Sequence, residues 1–101
     1  MSAKNVRDSH DHLLRELNEE RVAALTRISR TLEGLIADLH QRRQRIQALQ
    51  GPERAWEVDQ YREVRTRATT YRWYLDVQRE ALGLRPHRSV DEFYQVPSAI
   101  E

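Results

Sequence analysis

Cysteine is absent from the 101 residues, which excludes disulfides, thiol nucleophiles and Cys-ligated zinc. Glycine and proline occur three times each, too rarely to punctuate the many turns of a strand-rich chain. No apolar run approaches the ~20 residues that cross a bilayer, and the opening MSAKNVRDSHDH lacks the apolar stretch of a signal peptide. A soluble, cytoplasmic protein with no membrane partner is therefore expected. Charge of one sign is missing too. Seventeen basic residues face 16 acidic ones for a formal +1, which argues against a globally basic nucleic-acid binder. Lysine occurs once, at Lys4, so nearly every cation is an arginine. That preference suits phosphate contacts, and the codon bias of a GC-rich genome produces it equally well.

What is present reads as helix. Charged residues make up 33% and hydrophobic ones 39%, and helix formers dominate both sets. Ser9 is the expected N-cap of a first helix over residues 9–50, with Asp8 and Asp11 near the positive end of its dipole and residues 1–8 as a flexible N-terminus. Leu14, Leu17, Leu25, Ile28, Leu32, Leu35, Leu39, Ile46 and Leu49 recur at threes and fours along it. Leu25, Leu32, Leu39 and Ile46 share one heptad position, while Ile28, Leu35, Arg42 and Leu49 share the other, a seam of coiled-coil type. Gly51 and Pro52 then read as a helix stop followed by a helix start, and a turn this short returns the chain antiparallel. A second helix is expected over residues 52–82, ended by Gly83 and Pro86, with Tyr61, Val64, Ala68, Tyr71, Leu75 and Leu82 facing the first.

The tail SVDEFYQVP offers a Ser89–Glu92 capping box and predicts a short third helix at 89–95. The predicted fold class is all-α: a long antiparallel helical hairpin with a short C-terminal third helix, residues 9–101 forming one domain. The size and hairpin outline are similar to the small secreted WXG-type helical proteins. This turn reads LQGPERAW and has no Trp-x-Gly, so the chain is not assigned to that family.

The second helix carries a further apolar side. Trp56, Trp73, Tyr74, Val77 and Ala81 fall on an arc roughly opposite its seam. Large aromatics contribute most when buried, so something is expected to cover them. The first helix also outruns the second, and Phe93, Tyr94 and Val96 are expected to cover its unpaired Leu13, Leu14 and Leu17. Part of the Trp73 side then stays open, and dimerisation into a four-helix bundle is the expected completion.

Candidate chemistry is sparse. His10 and His12 are two positions apart and point to different sides of a helix, and neither HExxH nor a paired ExxH motif occurs, so no metal site is expected; His12 and Glu16 alone share a face. Arg21, with Asn18 beside it, interrupts the apolar stripe and reads as a polar residue that sets register, or as one that reaches out to water. Arg42 occupies a seam position from which Glu57 and Tyr61 are in reach. The run QRRQR at 41–45 and the segment YREVRTRATTYR at 61–72 interleave arginine with aromatics, but the arginines scatter around their helices, and Asp38 and Glu63 neutralise Arg42 and Arg67 at i,i+4. No nucleophile with a nearby base, Gly-rich phosphate loop or inward carboxylate pair is found, and no cofactor is expected. The leading expectation is a non-enzymatic protein–protein interaction or structural adaptor module, a homodimer that contacts another protein through Trp56, Trp73, Tyr74, Val77 and Ala81. The alternative is a nucleic-acid-binding protein using Arg42, Arg43 and Arg45 at the tip.

Overall fold

A computed structural model describes residues 3–84 and 88–101, and among them every regular element is helical. Helix α1 runs Ala3–Ala48, α2 Gly51–Ala81 and α3 Arg88–Phe93. Proline is absent from α1, and Gly34 is its only glycine, so nothing interrupts propagation along its 46 residues. Its start differs from the expected boundary at Ser9, which lies inside the helix. No residue from Ala3 to Asp8 breaks a helix, and adding one hydrogen bond per residue carries the helix past the polar side chain that looked like a cap. The Ser89 side chain and Pro86, on which the expected third-helix cap and second-helix stop partly rested, lie outside the described residues.

The two ends of α2 follow from glycine. Gly51 adopts φ +62 at the turn, a conformation that costs a residue with a Cβ. Pro52 sits in the first turn of α2, where its missing N–H is harmless. At the far end Gly83, at φ +75, donates to the carbonyl of Glu80, and Leu84 donates to that of Arg79, each at 2.9 Å. This paired bonding closes the last carbonyls of α2 and turns the chain off the helix axis.

Helices α1 and α2 pack along a shared apolar seam and run in opposite senses: Arg42 meets Glu57, whereas Ala24 and Arg27 lie by Gln78. The core consists of Leu32, Leu35, Leu39 and Ile46 against Val58, Tyr61, Val64, Ala68 and Leu75. Leu25, Ile28 and Tyr71 are half-buried beside it. The molecule is a rod of 74 × 24 × 15 Å. At ~1.5 Å per residue α1 exceeds α2 by about 22 Å, and the surplus projects beyond the end of α2.

The C-terminal segment takes a course opposite to the expected one. Phe93, Tyr94 and Val96 do not cover Leu13, Leu14 and Leu17; the segment runs from α3 towards the turn, with the Tyr94 hydroxyl donating to Glu33 and Ile100 beside Ile46 and Leu49. Between those two levels α1 advances from residue 33 to 46 and the segment only from 94 to 100. About 20 Å is thereby spanned at about 3.3 Å per residue, the rise of an extended strand. The expected third helix over 89–95 is accordingly shorter, ending at Phe93. The physical reason is access to a groove. A single helix offers only a convex surface, whereas two packed helices offer a concave channel lined by side-chain donors.

Candidate interaction surfaces

The outer face of α2 presents Trp73 and Tyr74 at 61% and 41% exposure, with Val77 at 38% and Ala81 also exposed. Their spacing of one, three and four residues makes them neighbours on one patch. The Trp73 and Tyr74 ring centroids are 5.6 Å apart, and Tyr74 meets Tyr71 edge-on at 5.5 Å. Tyr71 belongs to the seam, so the aromatic series wraps from the core edge to the outer surface. Trp56 is equally exposed at 60%, but it precedes Trp73 by 17 positions, about 26 Å along the helix. The five residues grouped by sequence thus separate into a cluster of four and one isolated indole.

A second apolar surface lies on the projecting part of α1. Val6, Leu13, Leu14 and Leu17 continue the direction of the seam beyond α2 and remain exposed. Arg21 lines a shallow depression where this surface meets the end of the paired region, together with Leu17, Glu20, Ala24, Arg27 and Gln78. His12 and Glu16 pair at 3.0 Å on the exposed surface of the same segment. Among the described residues no three His, Asp or Glu side chains converge as a metal would require.

The arginines near the turn are used inside the fold. Arg42 Nε donates to Asp38 at 3.0 Å and its Nη1 to Glu57 at 2.7 Å. Asp38 first, and then Glu57, holds the Arg42 pKa above its already high ordinary value by hydrogen bonding and charge, outweighing the opposing effect of burial. Glu57 is buried, and Arg45 approaches it more distantly, at 3.8 Å. Arg42 and Glu57 occupy facing seam positions, so a charged pair stands where the heptad pattern calls for apolar residues. Arg43 donates to the Tyr61 hydroxyl at 3.2 Å and to the Ser98 carbonyl at 3.2 Å. Of the three arginines considered for phosphate contact, only Arg45 keeps an exposed side chain.

The groove that holds the C-terminal segment is the site sequence reasoning missed. Tyr61, fully buried, donates its hydroxyl proton to the Ser98 carbonyl at 2.7 Å, and Arg65 Nε donates to the Pro97 carbonyl at 2.9 Å. Arg72 pairs with Asp91 of α3. Val96 and Ile100 pack at the core edge, Val96 sharing a pocket with Ile36, His40 and Pro97. The available signal was Pro97, which biases Val96 before it towards extended backbone and leaves no N–H for a helix to continue on.

Several threonine hydroxyls inside the helices have local partners. Thr66, Thr69 and Thr70 each donate to the carbonyl four residues earlier, a local bond that orients them along their own helix. No helix among the described residues is long and apolar enough to cross a membrane. Comparison with protein-family models, with curated proteins and with solved structures returned no match, so the functional reading rests on the geometry of this chain.

Proposed function

We propose that the protein is a non-enzymatic interaction or adaptor module, a long antiparallel helical hairpin that associates with a second copy as a four-helix bundle and contacts another protein through its aromatic face. One observation carries the reading: Trp73, Tyr74 and Val77 stand in water on α2 while Leu13, Leu14 and Leu17 stand in water on α1. Contiguous exposed apolar side chains on a small protein mark surfaces that a partner covers, and tryptophan and tyrosine are the side chains from which interface anchors are built. Two-fold pairing presents each such surface twice, so one contact type serves both copies.

Light scattering across a concentration series tests this. A molar mass rising to twice that of the 12.0 kDa chain is expected, and Trp73→Ala combined with Tyr74→Ala shifts the midpoint to at least ~10-fold higher concentration, as loss of one aromatic anchor does. A chain that stays monomeric throughout, and whose protein capture is unaffected by both substitutions, rejects the reading. The nucleic-acid alternative has weaker support because Arg42 and Arg43 are committed to Asp38, Glu57, Tyr61 and Ser98. A steep loss of binding to generic DNA or RNA with rising salt would revive it.

A further inference from the structure

We propose that the groove between α1 and α2 beside Tyr61 and Arg65 is a peptide-binding site for an extended aliphatic–proline segment, and that residues 94–101 are its resident, displaceable ligand. This site lies apart from the aromatic face of α2 and is independent of association through it.

The polar contacts have the form of peptide recognition. Tyr61, Arg65 and Arg43 all donate to main-chain carbonyls of the segment, those of Pro97 and Ser98. Among the described residues, only the Arg43 contact to the Ser98 hydroxyl, at 3.3 Å, and the Tyr94–Glu33 bond, at 3.2 Å, involve the segment's polar side chains. A segment held by its backbone is exchangeable for another whose apolar side chains fit the same notches, which is how extended peptides are bound on sheet edges and in polyproline grooves. At this point the groove offers donors. Proline matches it, because Pro97 contributes a carbonyl and brings no N–H that would lack an acceptor. The apolar requirement is set by Val96 and Ile100, both only half-buried, so the segment fits its channel without being enclosed by it.

Every buried residue of the core cluster belongs to α1 or α2, and the segment adds half-buried residues at its edge. Leu32, Leu39, Ala68 and Leu75 are buried at a helix–helix interface that the core cluster already defines. Tyr61 is the exception that links the two systems, its ring in the core and its hydroxyl on Ser98. The ligand class follows: an aromatic or aliphatic residue, one intervening residue, an aliphatic–proline pair, then two small residues and an aliphatic one, in extended form. A partner protein carrying such a segment binds by replacing residues 94–101.

The test uses the full chain and a fluorescein-labelled peptide YQVPSAIE with an amidated C-terminus. Val96→Asp with Ile100→Asp releases the resident segment, and anisotropy is expected to show at least ~10-fold tighter peptide binding to this variant than to the wild type, because a tethered competitor acts at roughly millimolar effective concentration. Adding Tyr61→Phe or Arg65→Ala to the released variant weakens the peptide several-fold. Equal affinity for wild type and released variant, with helix content unchanged by circular dichroism, overturns the proposal. Should the released variant lose its helices, the wild-type frame decides. Since the chain has no cysteine, Ala99→Cys carries a single environment-sensitive dye, and millimolar unlabelled peptide is expected to shift its emission. A dye signal that does not respond means the segment is a fixed part of the fold.

Discussion

The turn-proximal half of the rod and its distal end are built from the same α1 sequence pattern yet differ in company. Near the turn three segments meet: α1, α2 and the extended C-terminal segment, with Tyr61 bonded to Ser98 and Glu57 to Arg42. At the distal end no described residue of another element covers α1, and its Leu13, Leu14 and Leu17 continue the apolar side of the helix, Leu14 at the seam position of Ile28 and Leu35, but stay exposed. Amphipathic periodicity therefore marks a face that requires a partner, without saying whether the partner belongs to the same chain. Stability follows company, since isolated helical turns without tertiary contacts are marginal.

The largest expected contrast is between two leucines of that stripe. Leu39 is fully buried, and Leu39→Ala should cost about 3 kcal/mol through lost burial and the cavity left behind. Leu14, 46% exposed, should cost less than about 0.5 kcal/mol on the same truncation when the chain is monomeric. Urea melts at low micromolar and at several hundred micromolar protein measure both. A Leu14→Ala penalty that grows with concentration identifies the projecting helix as an association surface. A large penalty at every concentration would mean that this end is covered within one chain, and the contrast between the two halves would fail.

Next in size is the charged pair in the seam. Glu57→Ala leaves Arg42 with Asp38 but strips a part-buried contact, and a loss of about 1.5–3 kcal/mol is expected from removing a charge-assisted hydrogen bond. Arg42→Leu with Glu57→Leu restores an apolar seam and should lie within about 1 kcal/mol of the wild type or above it. Thermal melts of the two variants and the wild type separate charge from packing. If the double variant is as unstable as the single one, the pair is not what the seam tolerates at cost but what its shape demands. A double variant that is stable yet broadens its resonances would assign register to the pair.

The seam, the turn and the level at which Arg42 meets Glu57 were legible because helical periodicity and a Gly-Pro turn encode them locally. Two features were not. Ser9 has the chemistry of a cap, but a cap marks a helix start only where the preceding residues leave the helix, and Ala3–Asp8 do not. The C-terminal segment was expected on the bare end of α1 because apolar surface there was unaccounted for. Its course is decided instead by donors from three separate positions, Arg43, Tyr61 and Arg65, that come together only after the helices pack. The outer aromatic arc was half legible: the angular position of its residues followed from the wheel, whereas the wheel ignores the axial distance that isolates Trp56 from Trp73.

That axial distance gives the finest distinction between the two halves. Trp56 lies near the turn and Trp73 towards the distal end, and as single chains they are equally open to water. Trp56→Phe leaves Trp73 as the sole indole, and Trp73→Phe leaves Trp56. Iodide quenching of each variant reads their exposure separately. At low micromolar protein both should quench with similar efficiency. On concentration, quenching of Trp73 should fall by about half while Trp56 changes little, since Trp73 has Tyr74 and Val77 beside it to form an anchor and Trp56 has no large apolar neighbour on its outer face. Parallel protection of both indoles would extend the contact over the full length of α2. Protection of neither would move the expected contact from α2 to the projecting end of α1.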